Sequence, residues 1–335
     1  MLWSVIVESE LILGLSRISG LSPYDVRAIS LRAPRMYKTF SVFKADGVST
    51  REIAQPAREV KLLQRAFNEL VLSALPVHSC ATAYRSKPGL SLKDNVTPHA
   101  ENGPILKMDF RSFFPSIKSR DWASYCRNSG VILSEDDIHL SEQLLFRRAS
   151  KGRPLELAIG APSSPFLSNI LMYRFDELIF ERMAERYVTY TRYADDMTFS
   201  AQRTGFLQGV QSVVAKTVRE IKYPSLTING NKTRFVTTKF GRHVTGLTIS
   251  LDGRVTAGQY RKRQIRAGVH KFSMGQLDEG AAIRLAGLIA FVNSVENDFI
   301  VKLKERYGPE LIGQLCSSAL RRKGKGRVNP LPDER

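Results

Sequence analysis

The chain predicts an α+β fold, an antiparallel sheet backed by helices in a split βαβ arrangement, and three observations carry that expectation. Two strand-like runs, Tyr187-Val-Thr-Tyr-Thr191 and Met197-Thr-Phe-Ser200, bracket Tyr193-Ala-Asp-Asp196 as the arms of a hairpin would. A third run, Pro104-Ile-Leu-Lys-Met-Asp109, reads as a buried strand that ends in an acid. Between them Leu167, Ile170, Leu171, Phe175, Leu178, Ile179 and Met183 form one apolar stripe at helical spacing.

The other elements follow in chain order. Residues 1–35 read as a helical extension punctuated by Pro23 and Pro34. Tyr37–Lys44 and Val48–Gln55 flank an Asp46-Gly47 turn, a strong hairpin signal. Val60, Leu62, Leu63, Ala66, Phe67, Leu70, Val71 and Ala74 recur at helical spacing. Residues 119–150 read as helical, and Gly160-Ala-Pro-Ser-Ser-Pro165 as a loop feeding a helix with Ser164 as its N-cap and Pro165 in its first turn. A helix over about 205–221 leads to Leu226–Thr233 and a strand-like run from Val244 to Ser250, after which the chain is helical and basic. No internal repeat or long low-complexity segment interrupts this order.

The 335 residues suffice for one large or two to three small domains with a real core. Fifty Lys and Arg stand against 32 Asp and Glu, a net charge of +18 that favours a polyanion, with nucleic acid as first candidate. From Gly253 onward sixteen basic residues face eight acidic ones, and Arg321–Arg327 is a basic, glycine-interrupted run suited to phosphate contact. Cys80, Cys126 and Cys316 are widely spaced, which suggests a reduced cytoplasmic protein without a zinc site. The apolar start Met1–Val7 lacks a basic n-region and is interrupted by Glu8 and Glu10, so it reads as a packed arm, and no membrane partner is expected.

Adjacent acids at a hairpin tip repel each other. A solvated turn is one reading of Asp195-Asp196, because Asp favours turns. A divalent cation is the other, since hard Mg²⁺ takes carboxylate oxygens and bridges to phosphates. Asp109 lies 86 positions upstream at the end of a buried strand, where an acid is costly without a partner or a metal. Three carboxylates on one sheet edge can hold two Mg²⁺ ions about 3.5–4 Å apart, the arrangement for nucleotidyl transfer. Consecutive side chains near a hairpin tip point differently, which on geometry gives Asp195 with Asp109 a stronger claim than Asp196.

At this point the sequence resembles a known family. Leu106–Ile117, containing Asp109-Phe-Arg-Ser-Phe-Phe-Pro115, is similar to the first catalytic motif of reverse transcriptases. Gly160–Asn169 resembles their template and nucleotide-floor motif, Tyr193-Ala-Asp-Asp196 their catalytic signature, and Asn229-Gly-Asn-Lys-Thr233 their lysine-bearing motif. Asn95-Val-Thr-Pro-His99 and Val244-Thr-Gly246 resemble elements of the bacterial retron group, with Val96 where Ala is usual and Ile159 where the wider family often has Gln. No segment reads as an appended nuclease or integrase domain.

The resemblance implies a right-hand polymerase fold: a helical extension at 1–35, fingers at 36–104 with part of 118–165, a palm at 105–250, and a basic helical thumb and tail at 251–335. It implies Asp109, Asp195 and Asp196 as ligands of two Mg²⁺ ions. Lys44, Arg51, Phe110, Phe114, Gly160 and Lys232 would bind the nucleotide. Phe114 would be the gate against a ribose 2′-hydroxyl, Lys44 and Arg51 the grip on the triphosphate, and Lys232 a general acid for departing pyrophosphate. For Phe114 core packing, and for Lys44 and Arg51 a merely exposed hairpin, are the alternatives. Asn95 and His99 would hold local architecture or touch RNA, and Arg261, Lys262, Arg263, Arg266 and Lys271 would offer cations to RNA on one helix face, a merely solvated face being the alternative.

The implied partners are a cognate structured noncoding RNA serving as primer and template, its DNA product, deoxynucleotides and an effector or toxin protein. The implied product is a branched RNA–DNA hybrid (msDNA) primed from an internal guanosine 2′-hydroxyl, made in antiphage defence. Another defence-associated or intron-type reverse transcriptase, or a noncatalytic RNA-binding scaffold of polymerase fold, are the alternatives. A nucleotide-cyclase-like enzyme would share the carboxylates but leaves the fingers hairpin, the Gly160–Pro165 loop and the basic thumb unexplained.

Overall fold

The computed structural model describes residues 9–43, 47–85, 92–237, 239 and 241–320, with side chains to 317. Residues 1–8, 44–46, 86–91, 238, 240 and 321–335 lie outside them.

Two short helices open the chain, α1 (Glu10–Ser19) and α2 (Pro23–Arg32). Each starts on a serine N-cap, Ser9 and Ser22, whose side chain accepts a backbone N–H of the first turn. The β1 (Tyr37–Phe43) and β2 (Thr50–Pro56) hairpin follows, then α3 (Arg58–Leu70) and a five-residue α4 (Leu92–Val96). The central unit runs β3 (Ile105–Asp109), α5 (Phe113–Ser116), α6 (Ser119–Ser129), α7 (Glu135–Leu145), α8 (Ser164–Leu171), α9 (Tyr173–Ala184), β4 (Thr189–Tyr193), β5 (Asp196–Ser200), α10 (Val210–Glu220) and β6 (Arg234–Val236). A small sheet of β7 (Arg242–Val244), β8 (Leu247–Ile249) and β9 (Val255–Thr256) leads into α11 (Gln259–Ser273), α12 (Glu279–Val295), α13 (Asn297–Tyr307) and α14 (Pro309–Leu320).

The central sheet has the order β4-β5-β3-β6, and every neighbour pair is antiparallel. Strands β3 and β4, joined through helices, are thus parallel to each other with β5 inserted between them. Strands β5 and β6, joined through α10, have β3 between them. This is the split βαβ arrangement twice over, as the sequence predicts.

One face of the sheet is apolar. Leu106, Met108, Met197, Phe199 and Tyr190 alternate inward and pack with Leu167, Phe175, Ile179 and Met183 in the main core. At roughly 25 cal/mol per Å² of apolar surface removed from water, this layer holds the helices to the sheet. Arg192 points to the same face, although it is charged and has no exposed surface. Its guanidinium makes a bidentate pair with Asp176 of α9, Nε to Oδ1 at 2.8 Å and Nη2 to Oδ2 at 2.6 Å. Nη1 donates to the Asn169 amide oxygen at 3.2 Å and to the Ala194 carbonyl at 2.9 Å, and the Tyr190 hydroxyl donates to Asp176 at 3.0 Å.

The opposite face carries hydroxyls. His99 bridges two of them, Nδ1 to Ser200 Oγ at 2.6 Å and Nε2 to Thr191 Oγ1 at 2.8 Å. A neutral imidazole has one donor and one acceptor, and hydroxyls can satisfy both. Asn95 accepts from Thr82 Oγ1 at 2.8 Å and donates to Thr245 Oγ1 at 3.3 Å, while its carbonyl accepts from Thr191. Asn95 is 1% exposed and His99 not at all. Of the two expected roles, holding local architecture is what these bonds show, and the RNA contact is corrected: both side chains are spent inside the fold and have no surface to offer a nucleic acid.

Helices α11–α14 share a core of their own around Ile265, Val269, Leu285, Ile289, Val292, Phe299, Leu303, Ile312 and Leu315. A second small cluster, Val96, Ile105, Val244, Leu247, Ile249 and Val295, ties α12 to the β7–β8 hairpin, α4 and β3. No described helix is long and apolar enough to cross a membrane.

Several local expectations change. The apolar stripe over 164–183 is two helices, because the chain breaks at Met172. The helix cap is Ser163 rather than Ser164, and no side-chain cap bond forms there. The predicted strand from Val244 to Ser250 is a hairpin, with Thr245 at φ +45° and Gly246 at φ +81° supplying a tight turn. Residues 119–150 break at Gly130, whose φ of +68° ends α6.

Two outcomes test this framework. Asp176→Asn leaves the Arg192 charge buried without its counter-ion and should cost about 3–5 kcal/mol, measured by urea unfolding. His99 is pushed down from 6.5 to about 3 by burial, so below pH 6.5 the unfolded chain binds a proton that the fold refuses. Stability is full above pH 6.5 and falls as pH drops toward 3. His99→Asn should make the unfolding free energy less steep between pH 6.5 and 4 by about 1.4 kcal/mol per unit, whatever its effect on stability at neutral pH.

Candidate active site

The acidic centre is assembled by strand register. Asp109 is the last residue of β3 and Asp196 the first of β5, and they face each other as Cα partners. Residues opposite in an antiparallel pair project to the same side, so both carboxyls lie at the same edge. Asp195 sits beside them in the two-residue turn between β4 and β5. That turn needs a positive φ, supplied by Ala194 at +58°, a region that L-residues rarely occupy. The Arg192 guanidinium on the Ala194 carbonyl holds the peptide there. The Phe110 N–H on the Asp195 carbonyl at 3.2 Å ties the turn to β3 from the other side.

The carboxyls crowd one another. Asp196 is pushed up to about 7, first by withdrawal from water, then by the Asp195 charge and by a hydrogen bond with Asp109. Asp195 is raised by burial and by the Asp109 charge. Lys232 Nζ, at 2.8 Å from Asp109 Oδ2, offsets part of this. Burial works against that ammonium, yet the Asp109 hydrogen bond and charge prevail and raise its pKa. Asp196 shares a register position with Asp109, and Asp195 joins the pair from the adjoining turn, so both hairpin acids lie beside Asp109.

The donor set suits a hard divalent cation: carboxylate oxygens, with the Lys232 ammonium on Asp109 as a neighbouring positive charge. The acids do not form a closed cluster of three or more ligands among the described residues. Carboxylates drawn together with raised pKa, rather than spread by repulsion, are the feature that fits such a cation.

Other expected residues fall around this edge in different ways. Arg51, on β2 opposite Val42, is exposed, and its charge opposes only a small part of the upward push that burial and Asp109 exert on Asp195. Its expected companion Lys44 lies outside the described residues. Phe114, five residues past Asp109, is partly exposed, with its ring 5.3 Å from Phe113 in a T-shaped contact. The Phe110 side chain is corrected: it is core, packed on Phe113 and Phe175 at 5.8 and 5.5 Å, and offers no side-chain surface to a nucleotide. Gly160 is exposed at φ +117°, and a Cβ there would meet the Ala54 carbonyl and Ile53 at 3.1 Å. The preceding Ile159 carbonyl accepts the Ala54 N–H at 2.8 Å, so the glycine lets the loop and the β1–β2 hairpin approach closely.

The five basic residues of α11 do not share one face. Lys262 is buried in an ion pair with Glu296, which corrects its assignment to RNA. Arg261 donates to the Gly246 carbonyl at 2.6 Å and covers the Phe291 ring. Arg266 is exposed but lies over Phe299 at 5.1 Å. Arg263 and Lys271 are exposed on the outer side.

Sequence reasoning missed two contributors. Arg192 was legible in principle: a charged residue on the inward alternation of a buried strand requires a buried acid. Tyr84, at φ +60° with its ring 6.3 Å from Phe114 and 6.4 Å from Tyr193, left no local signal.

Residues 43–249 match the family model described as reverse transcriptase (RNA-dependent DNA polymerase). The retron Ec83 reverse transcriptase of Escherichia coli is 35% identical over 86% of this chain and 92% of its own length. The retron Mx65 enzyme of Myxococcus xanthus is 30% identical over 87% of this chain and 69% of its own. The retron Ec73 enzyme of Escherichia coli is 30% identical over 84% and 90%. Among solved structures, a telomerase from Candida albicans aligns over 87% of this chain and 64% of its own, with a TM-score of 0.47 and 12% identity. With more than half its length matched by the family model and the motif acids gathered on one sheet edge, this chain, of right-hand polymerase fold, belongs to the retron reverse transcriptases, RNA-directed DNA polymerases.

Proposed function

We propose that this reverse transcriptase copies a structured noncoding RNA into DNA by a two-metal reaction centred on Asp109, Asp195 and Asp196. The observation that carries the reading is the register of Asp109 opposite Asp196, with Asp195 in the adjoining turn. Two Mg²⁺ ions held by these carboxylates would activate the attacking hydroxyl and stabilise the leaving pyrophosphate. The rest falls to the chain. Arg51 faces the acids from the fingers hairpin and neutralises charge on the triphosphate. Phe114, five residues past Asp109 and partly exposed, is read as the gate against a ribose 2′-hydroxyl, with deoxynucleotides as the substrates. Lys232 is protonated and held on Asp109 at 2.8 Å, placed to give its proton to departing pyrophosphate. Arg263 and Lys271, the outward cations of α11, are the candidates for backbone contact with structured RNA, which is recognised by shape.

Membership of the retron group supports a branched RNA–DNA product (msDNA) primed from an internal guanosine 2′-hydroxyl of the same RNA. The same membership supports service in antiphage defence with a partner effector protein in the cytoplasm.

Asp195→Asn should abolish deoxynucleotide incorporation on a homopolymer RNA template with Mg²⁺, with the thermal midpoint and RNA binding unchanged. Retained synthesis sinks the assignment. Lys232→Ala should lower the maximal incorporation rate about a hundredfold, with little change in nucleotide KM, by single-turnover kinetics. A change confined to KM would place Lys232 in binding rather than in proton transfer.

A further inference from the structure

Residues 81–84 run alongside the hairpin that carries the acids, and they are pinned there. Ala81 pairs with Arg192 in a parallel bridge, and the Thr82 N–H donates to the Arg192 carbonyl at 2.9 Å. The Asn169 side-chain amide donates to the Ala83 carbonyl at 2.8 Å, and Thr82 Oγ1 donates to Asn95 at 2.8 Å. Ala81 and Ala83 are buried. At the next residue the chain turns to φ +60° and Tyr84 emerges 40% exposed. A bulky side chain at positive φ costs on the order of 1–3 kcal/mol and persists only where its surroundings over-determine it. The strain here does not serve to fill the core, because the side chain keeps 40% of its surface exposed.

What the ring meets is specific. Its centroid lies 6.3 Å from Phe114 at 54° and 6.4 Å from Tyr193 at 37°. Phe114 is braced on its buried side by Phe113 at 5.3 Å, and Tyr84 is its aromatic neighbour on the open side. A side chain that must exclude a single hydroxyl needs a locked rotamer, since a loosely held ring can swing away from the intruding group. Phe114 has no polar atom, so any hold on it comes from the Tyr84 ring and not from its hydroxyl.

We propose that Tyr84 is a positioning residue for sugar selection, its ring wedged between Phe114 and the catalytic hairpin so that Phe114 stays set against a ribose. The inference rests on the polymerase reading of the site and adds a residue outside its motifs. Ring-on-ring packing of this kind is directional, with edge and tilted geometries preferred over a face-to-face stack. Tyr193 fixes the far side of the wedge, which links the orientation of Phe114 to the same strand pair that presents the acids.

The test uses the full chain with Mg²⁺, a poly(rA) template and an oligo(dT) primer. kcat/KM is measured separately for dTTP and UTP in the wild type, Tyr84→Ala, Tyr84→Leu, Tyr84→Phe, Phe114→Ala and the Tyr84→Ala/Phe114→Ala pair. Tyr84→Ala should lower the dTTP-to-UTP ratio about tenfold, chiefly by raising the UTP value. Tyr84→Phe should keep the ratio within about twofold of wild type. The double variant should discriminate no worse than Phe114→Ala alone, because the two rings act as one unit. Tyr84→Leu keeps apolar volume without the plane and answers the question if the alanine variant does not fold. An unchanged ratio in both Tyr84→Ala and Tyr84→Leu, or an equal loss for both nucleotides, overturns the inference. Full discrimination in Phe114→Ala removes the gate and the inference together. A wild type that incorporates neither nucleotide overturns the polymerase reading itself.

Discussion

The Arg192–Asp176 pair is the interaction on which the active edge depends. Two charges with no exposed surface are a net burden unless the geometry is good and the spare hydrogen-bonding groups are satisfied. Here the fork is bidentate, Tyr190 takes a further position on the acid, and Asn169 and the Ala194 carbonyl use both Nη1 hydrogens. The last of these contacts turns a stability question into a functional one. The carbonyl it holds belongs to the strained residue of the turn that presents Asp195 and Asp196. Helix α9, the strand β4 and the Ala194–Asp195 turn are thereby fixed to one another by a single side chain.

The sheet works as a partition between two electrostatic regimes. Behind it a cation is neutralised by a buried acid, and the balance is closed. On the open side Lys232 pairs with Asp109, and the charges of Arg51 and Lys107 reach Asp195 and Asp196. Folding would relieve the open side by spreading the acids, but register prevents it: Asp109 cannot leave Asp196 without shifting β3 against β5, which would turn Leu106 and Met108 out of the core. The apolar face thus enforces the acidic one. The unrelieved repulsion is the affinity of the edge for positive charge.

Much of this was legible from residues alone, for reasons that can be named. Alternation in Ile105–Asp109 and Met197–Ser200 reports a half-buried sheet directly, and acids at the ends of such strands report where the edge is. Ordered motifs carried the rest of the centre, including Lys232. What failed depended on distance in sequence. Asn95 and His99 look like polar residues available to a ligand, and only the approach of Thr82, Thr191, Ser200 and Thr245 encloses them. Lys262 reads as one of a basic run until Glu296 of the next helix covers it. Tyr84 is invisible because its role comes from a backbone angle and two remote rings. The Thr245-Gly246 turn was hidden by β-branched and apolar neighbours that read as one continuous strand.

That turn has a mechanical consequence. Thr245 is held by Asn95 from the side of α4, and the Gly246 carbonyl is held by Arg261 from α11. The helical bundle α11–α14 is therefore fastened to the sheet at a knuckle fifteen residues before the arginine that grips it, and swinging the bundle outward drags the Gly246 carbonyl with it or breaks the Arg261 bond.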